Sequence, residues 1–182
     1  MILEVVKNLN DSKVILYPTD TVWGIGCDAT NEKAVAKIYQ LKKREESKSL
    51  IILVASITML KEYVENIPFK VLEILEETKK PTTIIYNNPK GLAKNTIAID
   101  NTIAIRIPED DFCIELIKEF GKPIVSTSAN ISGEPTPTSF SEISESILKK
   151  VDYIVDLNKD KVNINSSTIL KIEDNTIVVI RE

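Results

Sequence analysis

The segment VILYPTDTVWG, residues 14–24, begins as an apolar strand and ends in short polar side chains. The run from Val14 to Tyr17 predicts a buried strand, and Pro18 ends it. A simple connection needs only a Gly, Asn or Asp turn. Two threonines and an aspartate at the mouth of a strand therefore indicate a place where the protein binds something.

The rest of the chain alternates between apolar runs and helical patterns. Asn31 is the predicted N-cap of a helix whose buried stripe includes Ala34, Val35, Ile38 and Leu41. Further helices are predicted over residues 2–10, 58–64, 69–78, 112–120 and 139–149, and strands over 14–17, 50–55, 82–86, 103–107, 123–126, 153–156, 168–172 and 176–180. The pattern predicts an α/β fold in which helices flank a twisted, mixed sheet, in one domain that spans residues 1–182.

The composition bounds the class of protein. The 182 residues are 43% hydrophobic and 27% charged, and the net charge of −4 argues against a generally basic nucleic-acid-binding protein. Cys27 and Cys113 are too few for a disulfide framework. The sequence has neither an apolar stretch of the ~20 residues that span a bilayer nor a signal-peptide pattern. We expect a soluble cytoplasmic protein with no membrane partner.

The sequence contains no histidine. This absence excludes a Ser-His-Asp or Cys-His nucleophile and every histidine-based metal site. Catalysis must then use carboxylates, hydroxyls, cationic side chains, backbone amides or groups that the substrates bring. The family resemblance described below implies the last of these, with no covalent nucleophile from the protein.

Four polar segments lie at predicted strand ends, where open α/β sheets bind ligands. They are residues 18–21, residues 42–48, Arg106, and STSANISG at residues 126–133. Each has a simple alternative explanation: a turn cap, a solvated helix end, an edge residue facing water, and a closely packed small-residue loop. Together they supply cations, hydroxyls and backbone N–H groups, which suit a nucleotide and a small carboxylate-bearing substrate.

The order of these segments resembles the YrdC/Sua5/TsaC family of threonylcarbamoyl-AMP synthases. The resemblance rests on YPTDTVWGIGCDA, a basic-x-Arg segment before LIILV, RIP, STSANISGEPTP, VDL and SSTIL, in that order over nearly the whole chain. It implies a sheet around a large, positively charged concave cleft, in the short, single-domain form of the family. It also implies condensation of L-threonine, bicarbonate and ATP into threonylcarbamoyl-AMP with release of pyrophosphate. Partner proteins would then transfer the threonylcarbamoyl group to tRNA.

The resemblance also implies the site residues. Those expected to bind threonine are Thr21, Arg106, Ser126 and Ser167. Those expected to bind ATP are Lys42, Arg44, Lys48, Thr102, Ser128, Asn130, Thr136 and Arg181. Asp20 is expected to orient its loop rather than act as a base. Mg²⁺ is expected to arrive with ATP and to bridge its phosphates, with no metal ligand from protein side chains.

Two other functions stay open at this point. A non-catalytic module of the same fold would bind RNA in its concave face, and direct contact with tRNA is not decided by the sequence. A different carbamoyl-adenylate enzyme, related to hydrogenase-maturation carbamoyltransferases, would use carbamoyl phosphate in place of threonine and bicarbonate.

Overall fold

The computed structural model describes residues 1–45, 50–162, 166–173 and 176–182. A nine-stranded mixed sheet forms the centre of this part of the chain, in the order β7-β1-β2-β6-β3-β5-β4-β8-β9. The strands are β1 Ile15–Tyr17, β2 Gly24–Gly26, β3 Ile51–Leu53, β4 Thr82–Asn87, β5 Thr102–Arg106, β6 Ile124–Ser128, β7 Tyr153–Ile154, β8 Thr168–Glu173 and β9 Thr176–Arg181. The predicted mixed α/β fold is confirmed.

Helices cover the sheet. They are α1 Ile2–Asn10, α2 Glu32–Lys42, α3 Ile57–Tyr63, α4 Phe69–Glu77, α5 Asp111–Phe120 and α6 Glu145–Leu148. Three of the described helices, α2, α3 and α5, begin at a side-chain cap. The Asn31 side chain accepts from the backbone N–H groups of Lys33 and Ala34, which confirms the predicted cap of α2. The Asp110 side chain caps α5 in the same way, through Cys113 N–H.

The two faces of the sheet carry separate hydrophobic cores, because side chains alternate along each strand. Ile15 and Tyr17 pack on one face with residues of α1 and α5, such as Leu9 and Leu116. Leu16, between them in β1, packs on the other face with residues of α2, α3 and α4. Helices thus pack on both faces of the sheet, and the strand ends and connections are the parts of the sheet that remain available for a site.

The central strands set the register of the polar segments. Strand β5 runs parallel to β3 and antiparallel to β4, so Arg106 lies beside Leu53 and Thr83. Strand β6 runs antiparallel to both β3 and β2, which puts Ser126 opposite Ile51 and Ser128 opposite Gly24. The pairing of β5 and β6 on either side of β3 therefore brings Arg106 and Ser126, which are far apart in sequence, to the middle of the sheet.

The strand β2 was not predicted. Glycine has a low strand propensity, and two of the three residues Gly24-Ile25-Gly26 are glycines. The close approach of β6 requires these glycines, since a Cβ on Gly26 would lie 2.5 Å from the Val125 carbonyl oxygen.

The helix predicted over residues 139–149 is wrong in its extent. A 3₁₀ turn at Phe140–Glu142 and the four-residue α6 replace it. Ser144 between them is extended, with φ −62° and ψ 145°. Serine side chains favour caps and turns over helix interiors, and the hydroxyls of Ser144 and Ser146 bond each other at 2.9 Å.

In the part of the chain that the structure describes, none of the helices has the length and apolar character needed to cross a membrane.

Candidate functional site

A cavity of about 270 Å³ opens over the middle of the sheet. The segment after β1, the end of α2, the central strands and the ends of β8 and β9 all contribute to its walls. Its lining residues are Thr19, Thr21, Val22, Gly24, Arg44, Leu50, Ile51, Arg106, Ser126, Thr127, Ser128, Thr136, Ser166, Ser167 and Arg181. Hydroxyl and guanidinium groups dominate this lining, so the cavity suits a ligand with several anionic or polar groups.

The segment after Pro18 is folded around the Thr19 hydroxyl. That hydroxyl donates to the Val22 carbonyl at 2.7 Å and accepts from the Thr21 backbone N–H at 3.1 Å. The two threonine hydroxyls also lie 3.1 Å apart. Because the single hydroxyl proton of Thr19 is used on Val22, Thr21 is the donor of this pair.

Arg106 is buried at the end of β5, with 4% of its side chain exposed. One of its terminal nitrogens donates to the Thr21 hydroxyl at 3.1 Å. Thr21 thus donates to Thr19, accepts from Arg106 and keeps one lone pair for a further donor. The pair can receive a carboxylate on the guanidinium and an N–H or O–H group on the hydroxyl.

Asp20 stands behind Arg106 and is not among the residues that line the cavity. Its Oδ1 lies 3.3 Å from a terminal nitrogen of Arg106, and its Oδ2 accepts from the backbone N–H of Glu109. The carboxylate therefore links the loop after β1 to the segment after β5. This placement agrees with the expected orienting role of Asp20.

Two hydrogen-bonded hydroxyls lie beside Arg106, because Thr83 is its neighbour in β4. Thr83 donates to Ser167 Oγ at 2.9 Å, and both side chains are buried. Arg181, at the end of β9, donates to the Ser167 carbonyl at 2.8 Å. The sequence analysis did not identify Thr83 as a residue of the site. Its position near the start of the strand predicted over residues 82–86 was the signal available in the sequence.

Lys42 is buried at the end of α2 and anchors the STSAN loop. Its ammonium donates to the carbonyl oxygens of Ser128 and Asn130, the latter at 2.6 Å. Burial, and then the nearby charge of Arg44, lower the pKa of Lys42 to about 8. Lys42 is not among the lining residues, so it acts on the cavity through this loop.

The structure brings most of the predicted site residues together. All four residues predicted for threonine line the cavity: Thr21, Arg106, Ser126 and Ser167. Four of those predicted for ATP line the same cavity: Arg44, Ser128, Thr136 and Arg181. Two hydroxyl residues that sequence reasoning had noted only as hydrogen-bond donors, Thr19 and Thr127, also belong to it.

Three residues predicted for ATP lie outside this lining. Lys42 is turned to the two loop carbonyls. Thr102 is at the other end of β5 from Arg106, where its hydroxyl donates to Asp100 at 2.6 Å. Asn130 uses its amide N–H groups on the Ile131 and Glu134 carbonyls and shapes the loop. Lys48 lies outside the described residues.

The cavity is cationic. Arg44, Arg106 and Arg181 line it, and its described lining includes no acidic side chain. Within the described ranges there is also no group of three or more cysteines or carboxylates that could hold a metal ion. The cavity walls thus present guanidinium groups and hydroxyls that can bind an anion.

Sequence comparison supports one family for the whole chain. The model Sua5_yciO_yrdC, described as "Telomere recombination", matches residues 7–182. A Methanocaldococcus jannaschii protein is 39% identical over 178 residues, which cover 97% of this chain and 82% of that protein. The Bacillus subtilis threonylcarbamoyl-AMP synthase is 33% identical over 175 residues, which cover 95% of this chain and 50% of that protein. The chain thus spans about half the length of the latter relative.

A solved structure has the same fold. Sua5 of Pyrococcus abyssi in complex with L-threonine superposes with a TM-score of 0.89 at 28% identity, over 99% of this chain and 53% of that chain. The match by sequence model, the identity to relatives and the shared fold agree with one another. The chain belongs to the Sua5/YciO/YrdC family.

Proposed function

We propose that this chain is a threonylcarbamoyl-AMP synthase, a nucleotidyltransferase that condenses L-threonine, bicarbonate and ATP and releases pyrophosphate. The observation that carries the proposal is the single cavity. It joins a buried arginine–hydroxyl pair, which suits an amino acid carboxylate, to further arginines and hydroxyls, which suit phosphates.

The division of the cavity follows its contacts. Arg106 binds the threonine carboxylate, and the Thr21 hydroxyl, whose own proton is on Thr19, accepts from the substrate. Ser126 and Ser167 complete this end. Arg44, Ser128, Thr136 and Arg181 bind the triphosphate end of ATP. The relatives named as threonylcarbamoyl-AMP synthases and the threonine complex of Sua5 support the reaction and threonine as a ligand.

The chemistry needs no nucleophile from the protein. The neutral amine of threonine condenses with bicarbonate to a carbamate, and water leaves. A carbamate oxygen then attacks the α-phosphorus of ATP. The bond from that phosphorus to the bridging oxygen breaks, and pyrophosphate leaves with the electron pair. The protein holds the reactants together, neutralises charge and excludes water.

Mg²⁺ belongs to the ATP substrate in this proposal. Because the described cavity lining offers hydroxyls and guanidinium groups rather than carboxylates, phosphate oxygens and water supply the metal's ligands. Partner proteins take the threonylcarbamoyl-adenylate product and transfer the threonylcarbamoyl group to tRNA.

The test is pyrophosphate release from ATP and Mg²⁺, with threonine and bicarbonate each omitted in turn. We expect release only when both are present. Release that needs neither, or no release while the chain still binds RNA in a salt-sensitive manner, would overturn the proposal in favour of a binding module. Release driven by carbamoyl phosphate without threonine would instead identify the related carbamoyltransferase chemistry.

A further inference from the structure

Arg106 and Arg181 both line the cavity, but they differ in the charges around them. Its side chain is 4% exposed and the Asp20 side chain is 9% exposed, with 3.3 Å between their charged atoms. Arg181 instead donates to the Ser167 carbonyl, and no carboxylate of the described residues forms an ion pair with it. One cavity arginine is therefore compensated by a buried carboxylate, whereas Arg181 keeps its full charge for an anion.

The contact between Asp20 and Arg106 acts through charge rather than through an orienting hydrogen bond. Asp20 Oδ1 is buried and has no hydrogen-bond donor among the described residues. The orientation of the guanidinium comes from Thr21, which accepts from it at 3.1 Å. In a poorly hydrated setting, the field of Asp20 reaches beyond Arg106 to any ligand bound there.

This field distinguishes two kinds of ligand. A carboxylate bound to Arg106 makes a cluster with Asp20 whose net charge is −1, and the two carboxylates repel each other. An amino acid brings an ammonium as well, which restores neutrality. Arg181 would by itself favour a simple anion over a zwitterion, and Asp20 offsets this preference at the Arg106 end of the cavity.

We propose that Asp20 is a specificity-determining residue, which makes the Arg106 end of the cavity select zwitterionic amino acids over carboxylates that lack an ammonium. This inference rests on the proposed function, because it takes the ligand of Arg106 to be threonine. Asp20 does not touch the ligand in this arrangement; it acts through its charge.

The experiment compares two ligands by calorimetry without ATP and bicarbonate, so that no reaction occurs. They are L-threonine and 2,3-dihydroxybutanoate of the same configuration, in which a hydroxyl replaces the ammonium. The wild-type protein is expected to bind threonine at least tenfold more tightly. In Asp20→Asn this preference should fall at least tenfold, mainly because the hydroxy acid binds more tightly.

Asp28→Asn is the matched control. Asp28 is a buried aspartate that also forms an ion pair, with Lys122 at 2.9 Å, but Lys122, unlike Arg106, does not line the cavity. Its substitution should leave the preference unchanged. A purely structural role of Asp20 would weaken both ligands in parallel.

An unchanged preference in Asp20→Asn, or equal binding of the two ligands by the wild type, overturns the inference alone. Equal binding of the two ligands by the wild type would overturn the inference even if Asp20→Asn did not fold. Failure of the wild type to bind threonine at all overturns the proposed function, and the inference with it.

Discussion

Substitution of Arg106 by lysine gives the sharpest test of the threonine end of the cavity. Lysine keeps the positive charge beside Asp20, so the buried carboxylate is not left without a counter-charge. It lacks the planar fork that lets arginine hold a carboxylate with two N–H groups while a third group donates to Thr21. The variant thus removes geometry and preserves charge.

The magnitude follows from the bonds lost. A hydrogen bond to a charged group contributes roughly 1.5–3 kcal/mol, and each 1.4 kcal/mol is a factor of ten in affinity. Loss of one such bond to the substrate carboxylate predicts that the KM for threonine rises by about 10- to 100-fold. The KM for ATP should change little, because Arg44 and Arg181 remain.

The assay is steady-state pyrophosphate release, with threonine varied at saturating ATP and bicarbonate and then ATP varied at saturating threonine. Arg44→Lys is the matched control at the same cavity, and it should raise the KM for ATP and spare threonine. If Arg106→Lys kept a threonine KM within about threefold of the wild-type value, or affected only ATP, the assignment of Arg106 to the carboxylate would be refuted.

Three further perturbations test the framework around the site. Gly26→Ala should lower the unfolding free energy by more than the roughly 1–3 kcal/mol of ordinary overpacking, because its Cβ would lie 2.5 Å from a backbone oxygen. Gly24→Ala is the control, since the nearest atom to its Cβ would be 3.2 Å away. In urea titrations it should lower the unfolding free energy by less than Gly26→Ala does. Because burial lowers the pKa of Lys42 to about 8 from 10.5, the unfolded chain binds more protons between these values. The unfolding free energy of the wild type should therefore rise with pH across this window, relative to Lys42→Met, by roughly 3 kcal/mol; equal slopes would contradict the buried ammonium. Burial raises the pKa of the Cys113 thiol, whose Sγ donates to the Pro18 carbonyl at 3.5 Å. Iodoacetamide at pH 8 should therefore label Cys113 only in denaturant, and rapid labelling of Cys113 in the folded protein, located by peptide mapping, would refute this placement.

The sequence predicted most of the fold because hydrophobic periodicity and caps are local signals. Asn31 before α2 is an example: its side chain makes the predicted cap bonds within three residues of itself. The strand β2 escaped prediction because its reason is not local. Gly24 and Gly26 are needed where β1 and β6 approach, and only the pairing of strands reveals that approach.

In the candidate site, too, some features were predictable from the sequence and others depend on contacts between distant residues. Arg106 and Thr21 were assigned by motif, and the structure puts them 3.1 Å apart across 85 residues of sequence. Lys42 was predicted to bind ATP because the family resemblance implied it. Its ammonium is instead turned to two loop carbonyls, a direction that depends on the fold of residues far along the chain.

The absence of histidine and the arrangement of the cavity have one physical explanation. When the nucleophile of a reaction forms from its substrates, the protein has to position the reactants and neutralise their negative charge. Arginines and hydroxyls on rigid strands can do both. The carbamate carries more negative charge than the zwitterion from which it forms. In the proposed arrangement, Arg44 and Arg181 are the cavity cations that can offset this added negative charge, whereas Asp20 opposes it. In the proposed arrangement, Asp20 therefore favours binding of the zwitterionic amino acid, whereas the positive charges of Arg44 and Arg181 favour the carbamate that forms next.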